Sequence, residues 1–477
     1  MSEHISSVGE SILDLSTPNA VHKRVLGLAW PVIAENFLET LLGLVDTALV
    51  AHLGAGAIAG VGSAQQMLFL LIAVLSALSI GSSVLVAQAF GGRDLPRASQ
   101  LARQSLIWSV IISIPLALIG LWVSRPFIGL FGMEAPVAEI GVAYLHVTMG
   151  TIIVLVGLLI GSGVLRGIGD TRTPLIVTAI ANVINIILAY GLINGVAGLP
   201  QLGAVGSAWA TFASRAVALV LLIGVLLRGK NGVSIRANAA ALQSDWLPRW
   251  SVFRQVIVIG VPAAIEQILT TLAFVGLSIV VAGLGTTGLA AHRITISALS
   301  FSFLPGFGFA IASTALVGQS IGAKRIADIG PITRSATMWG AIWMGAIAII
   351  LFVFAPQVLH VFTEDQGVID AGVSALRIVA VSQPFLAVLM VMGGAMRGTG
   401  NTKLPLVISA GGWWAVVGVA YVFMQMFWPI ARVGVGRILD RHAHHGNHDV
   451  VRFPTGVWAV GGDVNHSSIR TVLNDPD

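Results

Sequence analysis

Residues 28–62 read LAWPVIAENFLETLLGLVDTALVAHLGAGAIAGVG, and they decide the fold because they are long and apolar enough to cross a bilayer. Three acids lie within this stretch, at Glu35, Glu39 and Asp46. Their spacing of four and seven residues places them on one face of a helix. Because an acid that faces lipid is costly, this face is expected to point into a bundle interior or a wet cavity. The stretch therefore predicts a transmembrane helix that carries an ion-binding or substrate-binding site.

The composition extends this interpretation to the whole chain. Hydrophobic residues occupy 56% of the 477 positions and charged residues 10%, whereas an ordinary soluble domain has about 25% charged residues. The apolar runs predict eleven crossings, near residues 25–50, 58–89, 104–124, 140–165, 174–195, 204–227, 255–282, 288–317, 335–358, 372–396 and 404–430. The chain is therefore predicted to be an all-α polytopic membrane protein.

Basic residues divide the loops between the two sides of the membrane. One side carries nearly all the loop lysines and arginines, and the other side carries only Arg125 among its loops. The positive-inside rule then places the amino terminus and the basic loops in the cytoplasm. These loops also explain the net charge of +5, so no nucleic-acid partner is expected. The chain has no cysteine, which excludes disulfides and thiol chemistry.

A tandem repeat relates two parts of the chain at an offset of 231 residues. PVIAE at 31–35 recurs as PAAIE at 262–266, LVAQAFG at 85–91 as LVGQSIG at 316–322, and RGIGDTRTPL at 166–175 as RGTGNTKLPL at 397–406. A register that holds over so long a stretch predicts two homologous six-helix lobes. An even number of spans in each lobe gives them a parallel orientation, with a central cleft between them.

The repeat and the basic loops together predict the domain boundaries. These are a cytoplasmic segment at 1–24, an amino-terminal lobe at 25–228, a cytoplasmic linker at 229–254, a carboxy-terminal lobe with five clear helices at 255–430, and a polar tail at 431–477. By the repeat, a twelfth helix should lie at about 435–458, where the sequence is too charged to span a bilayer. We interpret the tail as a corrupted or frame-shifted replacement for that helix. The alternative is a metal site made by His442, His444, His445 and His448.

Asp46 is the first candidate for the chemistry, because it lies in the middle of an apolar span. Ionising a carboxyl is costly there, so the group could hold and release a proton, and it would equally serve a sodium ion. A structural acid bonded to a neighbouring helix is the alternative. Glu35 and Glu266 are equivalent in the repeat, each four residues after a proline, and they either attract cations to the cleft or are simple helix-end acids.

Other polar residues within the spans are secondary candidates. Asn182 and Asn185 lie on the fifth span, where they could serve as ligands or bond neighbouring helices, and the glutamines are expected mainly to bond helices. The bases that could pair with the acids are Arg215, His292, Arg293 and Arg377. No phosphate-binding loop of the Walker type is present, and the glycines of RGIGDTR and RGTGNTK are expected to form loops with helix caps.

At these residues the chain resembles the multidrug and toxic compound extrusion (MATE) transporters, and within them the DinF-like branch. The resemblance covers about residues 20–430 and rests on PVIAENFLETLLGLVDTALVAHLG, on the VAQAFGGRD and VGQSIGAKR loops, and on the paired RGxGxT loops. It implies a twelve-helix exporter of organic cations and other xenobiotics in exchange for protons or sodium ions. It places the family's acid at Asp46 and an amide at Asn185, and it supports a functional acid at Glu266. Many DinF-like relatives carry a second acid where this chain has Ala189.

The function expected from the sequence is therefore that of a secondary active multidrug exporter in the bacterial inner membrane, not an enzyme. Its site would comprise Asp46, Glu35, Glu39, Asn182, Asn185 and Glu266, with no resident metal or cofactor and with a proton or a sodium ion as the coupling ion. A monomer is expected. The alternatives are a flippase for a lipid-linked oligosaccharide, which would need a basic cleft, and a non-transporting membrane scaffold or receptor.

Overall fold

In a computed structural model, the chain is described over residues 17–236 and 246–443, with side chains described as far as Met426. Its regular structure over these residues is helical, apart from an isolated bridge between Lys230 and Val233. The helices are α1 (Pro18–Ala51), α2 (Ala55–Gly91), α3 (Leu95–Gly129), α4 (Ala135–Gly150), α5 (Ile152–Gly167), α6 (Arg172–Asn194), α7 (Ala204–Arg228), α8 (Trp250–Ala282), α9 (Thr286–Gly322), α10 (Ile329–Val353), α11 (Ala355–His360), α12 (Gln366–Gly398) and α13 (Lys403–Ala443), with a 3₁₀ turn at Ile326–Asp328.

The number of crossings agrees with the prediction. Ten helices in the described ranges are long and apolar enough to span a membrane, and α4 with α5 make an eleventh candidate that is bent by 54°. The sequence predicted one unbroken helix over 140–165, and the structure divides it at Thr151. Thr151 leaves helical geometry, with φ −111° and ψ 13°, after Gly150, and its hydroxyl donates to the carbonyl of Val147 at 2.8 Å. A poor helix former followed by this back-bonded threonine accounts for the bend.

The repeat is visible in the backbone of the first half (α1–α7) and the second half (α8–α13). The bounds of α2 and α9 differ by the repeat offset of 231 at both ends. The RGxGxT loops are capped as predicted, since Asp170 accepts from the amide of Thr173 at 3.1 Å and Asn401 accepts from the amide of Leu404 at 3.3 Å. Equivalent sequences therefore build equivalent turns, because the caps and turn residues are locally determined.

The first helix of each half crosses between the halves. Residues of α1 that precede or adjoin Pro31 pack into a cluster with α9, α10 and α12 of the second half, including Val25, Leu28, Phe309 and Leu316. Val256 of α8 packs correspondingly into the core of the first half. Beyond Pro31, α1 carries its acids along α6 and α7. The domain boundaries proposed from the sequence remain a prediction, because α1 contributes residues to the cores of both halves and α8 contributes Val252 and Val256 to the core of the first half.

The end of the chain is described only in part. Helix α13 continues to Ala443, and its apolar candidate span covers Lys403–Met426. The predicted polar tail at 431–477 begins inside this helix, but its side chains and residues 444–477 lie outside the described residues. The interpretation of the tail as a replaced twelfth helix and the alternative histidine site therefore stay predictions.

Candidate functional site

A cavity of about 380 Å³ lies among the helices of the first half and gathers the polar residues of its spans. Glu35, Glu39 and Asp46 of α1 all line it, as their spacing predicted. Helices α2, α4, α5, α6 and α7 supply the other walls, with apolar side chains such as Phe69 and Leu158 between the polar groups. The acids of α1 therefore lie together on the wall of one cavity with mixed polar and apolar lining.

Asp46 is bound to a neighbouring helix by a short hydrogen bond. Asp46 is 8% exposed, and its Oδ1 accepts a hydrogen bond from the hydroxyl of Ser207 on α7 at 2.5 Å. The buried phenol of Tyr144 on α4 lies beside Ser207 and Gln65. A carboxyl with hydroxyl groups around it can exchange these contacts for a bound cation or a proton.

The two asparagines of α6 lie on the same cavity wall but have different bonds. Asn182 donates to the backbone carbonyl of Leu38 on α1 at 2.8 Å, which ties α6 to the acidic helix. Asn185 is 2% exposed and donates to the hydroxyls of Thr211 and Ser214 on α7, at 3.2 and 3.3 Å. The side-chain oxygen of Asn185 is not engaged in these bonds. Asn182 thus ties α6 to α1 and Asn185 ties α6 to α7, and these bonds use the side-chain oxygen of neither residue.

Glu35 forms a buried ion pair with Arg166 at the far end of α5. Arg166 Nη2 lies 2.8 Å from Glu35 Oε1, and the two side chains are 19% and 3% exposed. Glu35 Oε2 and Arg166 Nε are buried with no hydrogen-bond partner among the described residues. Glu39 lines the same cavity and is more exposed than Glu35, and it makes no ion pair within 4 Å among those residues. Of the two glutamates, Glu39 is the one available to a ligand.

Glu266 has the same environment in the second half. Arg397 Nη2 lies 2.7 Å from Glu266 Oε1, with side chains 23% and 7% exposed, and Glu266 Oε2 is again buried without a partner among the described residues. Arg397 is the repeat equivalent of Arg166, and both pairs join residues 131 apart in the sequence. Glu266 does not line the cavity of the first half. The structure therefore brings five of the six candidate residues together and places the sixth in a separate, symmetry-related ion pair.

Of the four bases expected to pair with the acids, Arg215 lies on the cavity wall with Glu39 and Asp46, and the other three are not on that wall. The bases that do pair with the two glutamates are Arg166 and Arg397, the first residues of the RGxGxT motifs. Arg377 bonds the carbonyl of Phe352 and lies over its ring, and His292 lies 3.3 Å from Ser278. Arg293 and Arg215 make no ion pair within 4 Å among the described residues, although Arg215 lines the cavity.

Sequence reasoning also missed Ser207, which makes the closest contact to Asp46. A usable signal was present, because Ser207, Thr211 and Ser214 are spaced by four and three residues on α7. Small hydroxyl residues at this spacing form one polar helix face. All three belong to helix α7 beside the cavity, so this face should be counted with the acids of α1.

Comparison with known proteins shows that two long segments of the chain match one protein family. A family model described as MatE matches the chain twice, at residues 31–191 and 262–422. The two matches differ by 231 residues at both ends, which confirms the repeat.

Two relatives and one solved structure indicate the extent of the likeness. The chain is 32% identical over 410 residues to a probable multidrug resistance protein NorM of Thermotoga maritima, covering 85% of this chain and 86% of that relative. It is 28% identical over 441 residues to a probable multidrug resistance protein NorM of Mannheimia succiniciproducens, covering 91% and 89%. Its fold is similar to a crystal structure of MATE in complex with MaL6, with a TM-score of 0.79 at 24% identity, covering 87% of this chain and 91% of that one.

Proposed function

The chain belongs to the MATE family of multi-pass membrane transporters, and on that premise we propose that it exports organic cations or other xenobiotics in exchange for protons or sodium ions. The observation that carries this proposal is the placement of Asp46. Its carboxyl is buried, is bonded to Ser207, and borders a cavity large enough for a small ligand. An ionisable group in such a place is costly to maintain, and binding and releasing a cation is the function that best accounts for it.

The coupling follows from competition for the same carboxyl. When Asp46 takes up a cation, its negative charge is neutralised and its hydroxyl contact on α7 is rearranged. The cavity then loses attraction for a positively charged substrate, and α1 and α7 lose a bond between them. Antiport requires that ion and substrate favour opposite conformations, and both would act here through the same pair of helices.

The charges in the cavity support a cationic substrate. Glu35 is neutralised by Arg166, so Glu39 and Asp46 face a single remaining base, Arg215. The balance is acidic when both carboxyls are ionised. A carrier for a lipid-linked pyrophosphate would need an excess of basic groups, so the flippase alternative receives no support from this cavity.

The choice between proton and sodium depends on how many oxygen ligands surround Asp46. Hydroxyls of Ser207 and Tyr144 are near, but Ala189 occupies the place where many DinF-like relatives carry a second acid. Proton coupling needs only one carboxyl, whereas sodium binding needs several oxygen ligands. We further propose membership of the DinF-like branch, a monomer, an inner-membrane location and a cytoplasmic amino terminus, from the motifs and loop charges described above.

The test is efflux of a fluorescent organic cation from proteoliposomes under separately imposed proton and sodium gradients. The native chain should transport in response to one gradient, and Asp46→Asn should reduce that transport to the background rate. Glu139→Gln is the matched control, because Glu139 is an exposed acid paired with Arg125 outside the cavity, and it should transport normally. Gradient-driven efflux that survives in Asp46→Asn would contradict the proposal.

A further inference from the structure

A reciprocal pair of hydrogen bonds connects the two halves at one end of the bundle. Gln88 Nε2 on α2 donates to the carbonyl of Gly398 at the end of α12, at 3.1 Å. Gln319 Nε2 on α9 donates to the carbonyl of Gly167 at the end of α5, at 2.9 Å. Each donor and each acceptor is the repeat equivalent of the other, at the offset of 231. The two bonds are therefore one interaction made twice around the axis that relates the halves.

The helices that carry these glutamines touch backbone to backbone. A methyl group on Gly91 would overlap the carbonyl oxygen of Gln319, and a methyl group on Gly322 would overlap the carbonyl oxygen of Gln88. Gly91 and Gly322 are again repeat equivalents. No side chain fits between the helices at these points, so α2 and α9 are in direct backbone contact at this end of the cleft that the repeat predicts between the halves.

The contact lies on the side of the basic loops. Gln88 precedes Arg93 by five residues, Gln319 precedes Lys324 by five residues, and both acceptor glycines belong to the RGxGxT loops. This is the side that the loop charges predict to be cytoplasmic. Gln319 is fully buried, and its Oε1 has no hydrogen-bond partner among the described residues. An interaction of neutral amides over close glycines can form and break without leaving a buried charge, which suits a contact that must open.

We propose that Gln88 and Gln319 form a two-fold clasp that holds the cytoplasmic end of the cleft closed, and that both bonds break when the cavity opens to the cytoplasm. The inference rests on the proposed alternating function. It assigns the glutamines as positioning residues, since they touch neither the cavity nor its ligand. It also gives a reason for the matching RGxGxT loops, which present the two acceptor carbonyls.

The first test measures accessibility instead of transport. The chain is free of cysteine, so a single Thr178→Cys on the cavity wall can be labelled with a membrane-impermeant maleimide from the cytoplasmic side of inside-out vesicles. Combining Gln88→Ala with Gln319→Ala should raise the labelling rate about ten-fold, and each single change should raise it less. Gln66→Ala, an exposed glutamine on the same helix α2, is the control and should leave the rate unchanged. Equal labelling of the double variant and the native chain would overturn the clasp.

The second test locks the contact. A methyl carbon on Gly318 would lie 3.0 Å from Cβ of Ala87, which is closer than the roughly 3.5–4.5 Å between the Cβ atoms of a disulfide. A cysteine pair at these positions should therefore cross-link after a small outward shift of the helices, when copper phenanthroline removes the thiol electrons and protons. Efflux should stop on oxidation and return with a reductant, and Ala87→Cys alone should be insensitive to both. Efflux that continues through the cross-linked protein would overturn the clasp. Absence of efflux from the native chain would instead contradict the proposed function, and the labelling test would still decide whether the clasp exists.

Discussion

The two halves of the chain share their buried ion pairs and differ in the polar groups around Asp46. Glu35 with Arg166 and Glu266 with Arg397 have nearly the same N–O distance, 2.8 and 2.7 Å. At the position equivalent to Asp46, however, the second half has Leu277. Both halves have thus kept the ion pair that joins two of their helices, whereas only the first half has a buried acid at the position of Asp46.

The same difference extends to the helices that face Asp46 and its equivalent. Asn182 and Asn185 of α6 correspond to Trp413 and Val416 of α13. Trp413 lies against Phe274, with ring centroids 4.6 Å apart. Where the first half has amides that line a cavity, the second half has two apolar side chains, of which Trp413 packs against Phe274 and Val416 is exposed. Two lobes with the same fold can therefore have different functions, because helix packing and ligand binding depend on different side chains of the same helices.

The largest effect on transport is expected when Asp46 is replaced by leucine, the residue at the equivalent position of the second half. Asp46→Leu should reduce gradient-driven efflux to background, because within the described part of the chain no other carboxyl accepts a hydrogen bond from Ser207. Leu277→Met, which keeps the volume of the equivalent side chain, should transport at a near-native rate. Efflux of an organic cation in proteoliposomes is the measurement. Coupled efflux in Asp46→Leu would show that the difference between the halves is not functional.

Removing either arginine of the buried pairs should destabilise the protein. Arg166→Met and Arg397→Met each leave a buried glutamate without its partner, at a cost of about 3 kcal/mol in the free energy of unfolding. Thermal unfolding in detergent should show a lower midpoint for both variants, and adding Glu35→Gln or Glu266→Gln should recover most of it. Arg125→Met, which breaks an exposed pair, is the control and should change little. A large loss in only one half would disprove the equivalence of the two pairs.

A smaller effect is expected from the partner of Asp46. Ser207→Ala removes a hydrogen bond to a carboxylate, which is worth about 1.5–3 kcal/mol, so the coupling-ion dependence of efflux should shift by roughly ten-fold or more. Ser302 of the second half is equally buried and donates to Gln383 at 3.0 Å. Ser302→Ala should leave the ion dependence unchanged. A similar shift in both variants would mean that general loosening, and not the ion site, is being measured.

The smallest effect is expected at Asn185. Asn185→Val installs the equivalent residue of the second half and removes two bonds to hydroxyls of α7, with an expected loss of about 1 kcal/mol and a shift of roughly five-fold in ion dependence. The reciprocal Val416→Asn should not change it. Efflux rates over a series of ion concentrations provide the measurement. An unchanged Asn185→Val would exclude this amide from the ion site and leave Asp46 with its hydroxyl neighbours.

The sequence by itself determined the spans, the repeat and the acidic face of α1. These features depend on local properties, since apolar runs give the helices and a spacing of four and seven residues gives the shared face of Glu35, Glu39 and Asp46. The caps at Asp170 and Asn401 were predictable for the same reason. The break at Thr151 was not predicted, because the apolar run continues through it and only the backbone reveals the bend.

Only the tertiary structure decided the partners. Arg166 reads as a loop residue, and nothing near it in the sequence indicates that it reaches Glu35 on a helix 131 residues earlier. The bond from Ser207 to Asp46 spans 161 residues, and the bonds of Gln88 and Gln319 join opposite halves. Such contacts depend on which faces of distant helices pack together and on how far the helices are shifted along their axes. The periodicity of a single helix does not indicate which helix packs against it.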